Sequence, residues 1–382
     1  MTRSKNSEKN IRRFLTLSLT ILLLLSFNSL RADVKMEMGI NKGYTDNLIS
    51  DSSSIEDRYI TYAGTIKYYP LPITEIAFSG EHTYYDETFN LSNTQTGLSF
   101  SVVPLRADFP VSLYLSGSIY AQRYSWKYQG YNNDKLSLQF GTGWKVYQNL
   151  QVRAGITIKS TGYLDSDPYD QNTLEYFAGV NTSDRFKNSY DLEVGYSKAR
   201  YSDLSRDVFD YLDIYDSMLV KKDLYSFYIS PRISRPIGSK TGINLVFTHR
   251  KFSNADSTLV FGATNQNLSP WASVWDGHSV TSTIKTYLLP GFIVTSGFGY
   301  WDKKFLRTLE EGVYFPSQIG TRDDARKDYQ SRCYIKFQHP FVLKTGQSWE
   351  PSLQIEYSDN NSSNEVYDYT NFSVSMGILI RP

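Results

Sequence analysis

Cysteine is almost missing from this chain: Cys333 is the only one in 382 residues. That excludes a disulfide framework, and no cysteine stands near the N-terminus to carry a lipid. Histidine is nearly as scarce. His82, His249, His278 and His339 are scattered through the chain, and none has a zinc-binding spacing. A nucleophile elbow and a phosphate-cradling glycine loop are also missing. No catalytic residue, metal or cofactor is therefore expected.

Long apolar runs are absent as well, with one exception. Phe14–Leu25 is an unbroken stretch of Leu, Ile, Phe, Thr and Ser behind the basic residues Arg3, Lys5, Lys9, Arg12 and Arg13. An apolar run this short, with these flanks, reads as a secretory signal peptide over residues 1–32, with Ala32 the last residue removed. Beyond it nothing approaches the roughly 18 residues that a spanning helix needs, which excludes a helical inner-membrane protein. Neither sign of charge dominates. Residues 1–32 hold six of the 40 basic and one of the 39 acidic residues, leaving 34 against 38, a net of −4. A mildly acidic chain argues against a nucleic-acid partner.

What the chain has instead is a period of two. Thr370, Phe372, Val374, Met376, Ile378 and Ile380 alternate with Asn371, Ser373, Ser375 and Gly377. The same pattern recurs along the chain, as in Val34–Met36–Met38–Ile40, Leu136–Leu138–Phe140 and Val152–Ala154–Ile156–Ile158. A period of two over about 9–11 residues is what a tilted strand needs to cross a bilayer. The reading is all-β, with about 16 strands (14–18). The weakest strand is the eighth, around Leu174–Val180, where Phe177 interrupts the alternation.

The connections alternate in length. Tyr69-Pro70-Leu71-Pro72, Tyr147-Gln148-Asn149-Leu150 and Leu289-Pro290-Gly291 read as tight turns. Longer polar segments lie near 43–58, 85–95, 124–134, 162–173, 200–223, 252–278, 302–328 and 359–368. Strict alternation of short and long predicts one domain over 33–382, a transmembrane up-and-down antiparallel β-barrel. Both termini would be periplasmic and the long loops extracellular. Tyr is abundant at 31 residues, which suits aromatic girdles at the two interfaces. A soluble sandwich or propeller would need the apolar face to meet a second packed layer, and the small polar opposite face fits that poorly.

If the apolar phase meets lipid, the other phase lines the interior. The pore-lining candidates are Lys67, Glu75, Glu81, Lys145, Arg153, Lys159, Glu193, Arg232, Arg250, Lys285, Arg332, Lys336 and Glu356. Pointing Arg or Lys into hydrocarbon costs about 2–4 kcal/mol at mid-depth, so their confinement to one phase supports the barrel. A barrel of about 16 strands is too wide for its side chains to fill, and the excess of basic groups hints at anion preference.

Other features are weaker. Asp203, Asp207, Asp210, Asp213 and Asp216 would share one face of a short helix, which reads as a solvated surface, a cation or lipopolysaccharide site, or a plug. Asp165-Ser166-Asp167-Pro168-Tyr169-Asp170 resembles the start of a calcium loop but lacks its turn glycine and terminal Glu. His82 and His249 fall on the apolar phase near loop ends, where an interfacial role is expected.

The chain after residue 32 resembles bacterial outer-membrane β-barrels of the porin type, and Gly43-Tyr44-Thr45-Asp46-Asn47 resembles the start of their first hairpin. The resemblance implies a passive or weakly selective pore for small hydrophilic solutes, with no catalysis and no cofactor. The partners it implies are outer-membrane lipid, lipopolysaccharide and the barrel-assembly machinery, and it allows a homo-oligomer. Such barrels usually end in an aromatic residue, whereas this chain ends Ile380-Arg381-Pro382. Two other readings remain open: a non-conducting barrel whose surface loops bind polymer or envelope partners, and an export barrel for polysaccharide or protein.

Overall fold

The computed structural model describes residues 33–48, 50, 52–103, 110–164, 170–201, 223–253, 260–261, 274–305, 308–309 and 326–382. Residues 1–32, read as a signal peptide, the acidic run 203–216 and residues 165–169 of the calcium-like stretch lie outside them. The strands are β1 (Asp33–Thr45), β2 (Asp57–Leu71), β3 (Thr74–Tyr85), β4 (Asn93–Val102), β5 (Val111–Tyr124) and β6 (Asn133–Tyr147). They continue as β7 (Leu150–Tyr163), β8 (Gln171–Ser183), β9 (Ser189–Tyr201), β10 (Asp223–Ile237) and β11 (Thr241–Phe252). The last are β12 (Trp275–Leu289), β13 (Phe292–Phe305), β14 (Lys327–Gln338), β15 (Ser348–Ser362) and β16 (Tyr369–Arg381).

Each strand pairs antiparallel with its chain neighbours, and β1 pairs with β16, so the sheet closes into a 16-strand barrel. Closure leaves no open edge. The three tight hairpins, Leu71 to Thr74, Tyr147 to Leu150 and Leu289 to Phe292, share one end of the barrel (the turn end), and the longest connecting segments join the strands at the other (the loop end).

The turns show why the chain reverses where it does. Three of them follow a register shift, between Tyr68 and Leu71, Lys145 and Tyr147, and Tyr287 and Leu289. The first corrects a sequence expectation. Pro70 lies within β2 rather than in the turn, because the shift frees residues 69–70 from the β3 ladder and the missing proline N–H breaks no bond there. At the third, Gly291 takes a φ of +78° after Pro290, a backbone conformation that side chains disfavour.

The phases divide as the patterning predicts. Val34, Met36, Met38 and Ile40 lie beside Tyr62 and Ile66, which lie beside Phe78 and His82, on one continuous face. Large apolar groups stay exposed there, among them Met36, Phe140, Trp144, Leu192 and Phe298. Cys333 joins them, paired with Phe298 and Tyr357. On the opposite face, polar side chains reach across an intervening strand to one another, as Arg153 on β7 does to Asp191 on β9. Only the concave side of a curved sheet brings such groups together. The apolar phase is therefore outside and the polar phase inside.

Phe177 is the exception that the alternation marks. It points inward, is buried, and lies over Gly155, its paired neighbour on β7. Five more inward aromatics do the same: Tyr59 over Gly43, Tyr120 over Gly97, Tyr114 over Gly141, Tyr228 over Gly195 and Tyr334 over Gly297. Each ring covers the bare backbone of a glycine and fills the space that glycine leaves, a device that pins strand register.

Candidate functional site

Every pore-lining candidate lies on the inner face. Lys67 is paired with Ala77, Glu81 with Ala63, Glu75 with Ser101, Lys145 with Gln151, and Arg250 with Gly277. Lys285 and Lys336 both face Thr295, one from each side. The structure gathers some of these residues into networks and leaves others without an ionic partner.

The main network spans β7 to β10. Arg153 places Nη1 2.8 Å from Asp191 Oδ2 and Nη2 2.9 Å from Oδ1, and the same Nη2 lies 2.8 Å from Glu193 Oε2. The Tyr228 hydroxyl donates to Glu193 Oε1 at 2.9 Å and also reaches Glu175 Oε1 at 3.2 Å. Lys159 closes the row at 2.9 Å from Glu175 Oε2. Exposed ion pairs are worth little singly, about 0–1 kcal/mol, but a connected set fixes each member's geometry. Along this sector of the wall two cations face three carboxylates.

Arg332 makes a second pair, Nη2 to Glu356 Oε2 at 2.7 Å, with Gln354 donating to the same oxygen. A third set lies where the barrel closes. Arg381 on β16 reaches Glu37 on β1 at 3.0 Å and Glu350 on β15 at 3.1 Å, so one guanidinium clamps both sides of the last strand. Glu75 accepts from the Tyr69 hydroxyl at 2.7 Å.

Lys67, Lys145, Arg232, Lys285 and Lys336 remain. Among the described residues none of them makes an ion pair, and of the candidate carboxylates Glu75 and Glu81 make none either. They sit in the half of their strands nearer the turn end, on β2, β6, β10, β12 and β14. Among the candidates, five cations without an ionic partner thus stand against two such carboxylates. Arg250 is held differently: its guanidinium lies 3.9 Å from the Trp275 ring centroid, and Nε donates to the Trp275 carbonyl.

Two buried carboxylates organise the loop end. Asp57, only 2% exposed, accepts the N–H groups of Arg58, Asp86, Glu87 and Thr88, plus the Thr88 hydroxyl. This ties the segment after β3 to the start of β2. Asp328, fully buried, takes both a fork from Arg326 (3.0 and 2.8 Å) and the Ser362 hydroxyl. The Arg326 guanidinium is sandwiched between the Phe305 and Tyr367 rings, 3.7 Å from each centroid.

Asp191, Tyr228, Glu37, Glu350 and Arg381 are functional-wall residues that the list of candidates misses. All fall on the polar phase, which was the available signal. The pairing that gives them a role needs the register of strands two apart. His249 lies on the outer face near the loop end, as its phase predicts, and is directly paired there with His278, which is distant in sequence.

A closed antiparallel barrel of sixteen strands, apolar outside and polar inside, is the architecture of outer-membrane β-barrels. No protein-family model matches the chain, and no curated protein matches it in sequence. Solved structures do resemble it. Acinetobacter baumannii OccAB1 aligns at a TM-score of 0.47 and 9% identity, over 92% of this chain and 97% of that one. Pseudomonas aeruginosa OccK8 (OprE) aligns at 0.48 and 10%, over 91% and 98%. CdiB from A. baumannii aligns at 0.49 and 10%, over 90% of this chain and 60% of its own.

Proposed function

We propose that this barrel is a passive, weakly selective outer-membrane pore for small hydrophilic solutes, with a preference for anions. Its width supports the pore: sixteen strands enclose more space than their own inward side chains fill. The observation that carries the preference is the set of cations without an ionic partner, Lys67, Lys145, Arg232, Lys285 and Lys336, set against Glu75 and Glu81 on the wall. Cations without partners in a confined aqueous path raise the local concentration of anions. In this reading the tight turns and both strand termini face the periplasm and the long segments face outward, as the usual arrangement of such barrels has it. Outer-membrane lipid and lipopolysaccharide surround the apolar face. The barrel-assembly machinery inserts the chain, a homo-oligomer is compatible with the outer face, and no chemical step is assigned to it.

Single-channel conductance in planar bilayers, with the reversal potential in a salt gradient, tests this reading. Large stable current steps and an anion-selective reversal potential are expected. Folded, heat-modifiable protein that inserts without conducting overturns the pore and leaves a barrel that acts through its loops. Conduction with cation selectivity keeps the pore and removes the role given to the lysines.

A further inference from the structure

We propose that His249 and His278 form a two-imidazole site for a borderline divalent transition-metal ion (zinc, copper or nickel) on the outer surface of the barrel near its loop end. The two residues are direct cross-strand partners on β11 and β12, 29 positions apart in sequence. Their Nδ1 atoms lie 3.1 Å apart and exposed, with ring centroids 4.6 Å apart and the planes 26° from parallel. The Phe247 ring also lies beside His278, centroids 5.9 Å apart and planes 28° from parallel.

A nitrogen pair at this separation can share one proton, or it can chelate. When each ring carries its proton on Nε2, both Nδ1 lone pairs are free for the same ion. A metal at 2.0–2.1 Å from each, the usual Zn–N distance, would close an N–metal–N angle of about 100°. That lies between a square-planar cis pair and a tetrahedral pair, so only a small rotation of the exposed rings is needed. Imidazole nitrogen suits zinc, copper and nickel, whereas calcium and magnesium demand oxygen. Among the described residues no third histidine, cysteine or carboxylate completes a set of three, so water fills the remaining positions. Asp302, paired with His278 on the next strand, adds negative charge on the same outward row.

Both histidines lie on the outward phase at the loop end, on the same strands as Phe247 and Val280 and next to Asp302. His82, also outward, is built differently: it is bonded to the Thr94 hydroxyl at 2.8 Å and has no second imidazole beside it.

The test uses the barrel without a polyhistidine tag, stripped with chelator and titrated calorimetrically with Zn²⁺, Ni²⁺ and Mg²⁺. One site for Zn²⁺ and for Ni²⁺ is expected, and none for Mg²⁺. His249→Gln and His278→Gln should each weaken binding by about tenfold or more, because the second imidazole binds intramolecularly. His82→Gln should leave it unchanged. Heat-modifiable migration on gels shows that each variant is folded, and Cu²⁺ electron paramagnetic resonance should report two nitrogen ligands in the parent and one in either variant. Failure of the parent barrel to bind, or binding that survives His249→Gln or His278→Gln, overturns the proposal.

Discussion

Tyr228 lies across the backbone of Gly195, its paired neighbour on β9, so closely that a Cβ there would fall 2.2 Å from Tyr228 Cε1. The same ring sends its hydroxyl to Glu193 and Glu175. One residue thus joins the packing of the inner wall to its charge network. Ring placement over glycine sets where the hydroxyl can reach, which makes the glycine part of the electrostatics.

Gly195→Ala should therefore overpack the wall and lower stability by about 1–3 kcal/mol. Gly80→Ala is the matched control, since a Cβ at Gly80 meets nothing within 4 Å. Urea unfolding in detergent or lipid should shift clearly for the first and little for the second. Equal shifts would mean that ring-on-glycine packing has no special weight.

Arg153→Gln removes the cation shared by Asp191 and Glu193. Two partly buried carboxylates then lack their ionic partner. The reversal potential should move toward cation selectivity, and stability should fall by about 1–3 kcal/mol, the penalty for leaving charged acceptors unsatisfied. An unchanged reversal potential would place Arg153 outside the ion path. Lys285→Gln with Lys336→Gln should act in the same direction on selectivity with a smaller effect on stability, because neither lysine has an ionic partner to strand.

Asp184 begins the turn between β8 and β9. Its carboxylate accepts from the N–H groups of Phe186 and Asn188 and from the Asn188 side chain. Desolvation alone would raise this carboxyl, but the hydrogen bonds from Asn188 and Phe186 outweigh it and hold it below the usual carboxylate range. A lowered folded-state value stabilises the fold at pH above the unfolded-state value, and that stabilisation disappears as pH falls through the folded one. Asp184→Asn should thus unfold earlier than the parent at neutral pH, and the gap should close in strong acid. Melting both proteins across an acid pH series checks this; a gap that widens in acid contradicts the sign.

Cys333 faces outward beside Phe298 and Tyr357. In liposomes a charged methanethiosulfonate should fail to label it, and labelling should appear once the barrel is unfolded. Moving the thiol inward, as Cys333→Ala with Thr283→Cys, should restore labelling in the folded state. Rapid labelling of Cys333 in intact liposomes would reverse the assignment of the two faces.

The sequence by itself determined the strand pattern, the division into an apolar and a charged phase, and the alternation of turns with long segments. Each depends only on a residue's own parity along its strand and on the chain beside it. The candidates Lys67 to Glu356 could be read in that way, and the structure places all of them on the inner face. Tertiary structure alone decided which side chains meet. Arg153 finds Glu193 at a separation of 40 residues, and Arg381 finds Glu37 at 344. Phe177 looked like a broken alternation until Gly155 lay beneath it. The histidines looked scattered until the register of β11 with β12 set two of them side by side. The physical reason is that cross-strand neighbours depend on the length of every connection and on each register shift. Contacts between strands two apart need the curvature of the closed sheet as well.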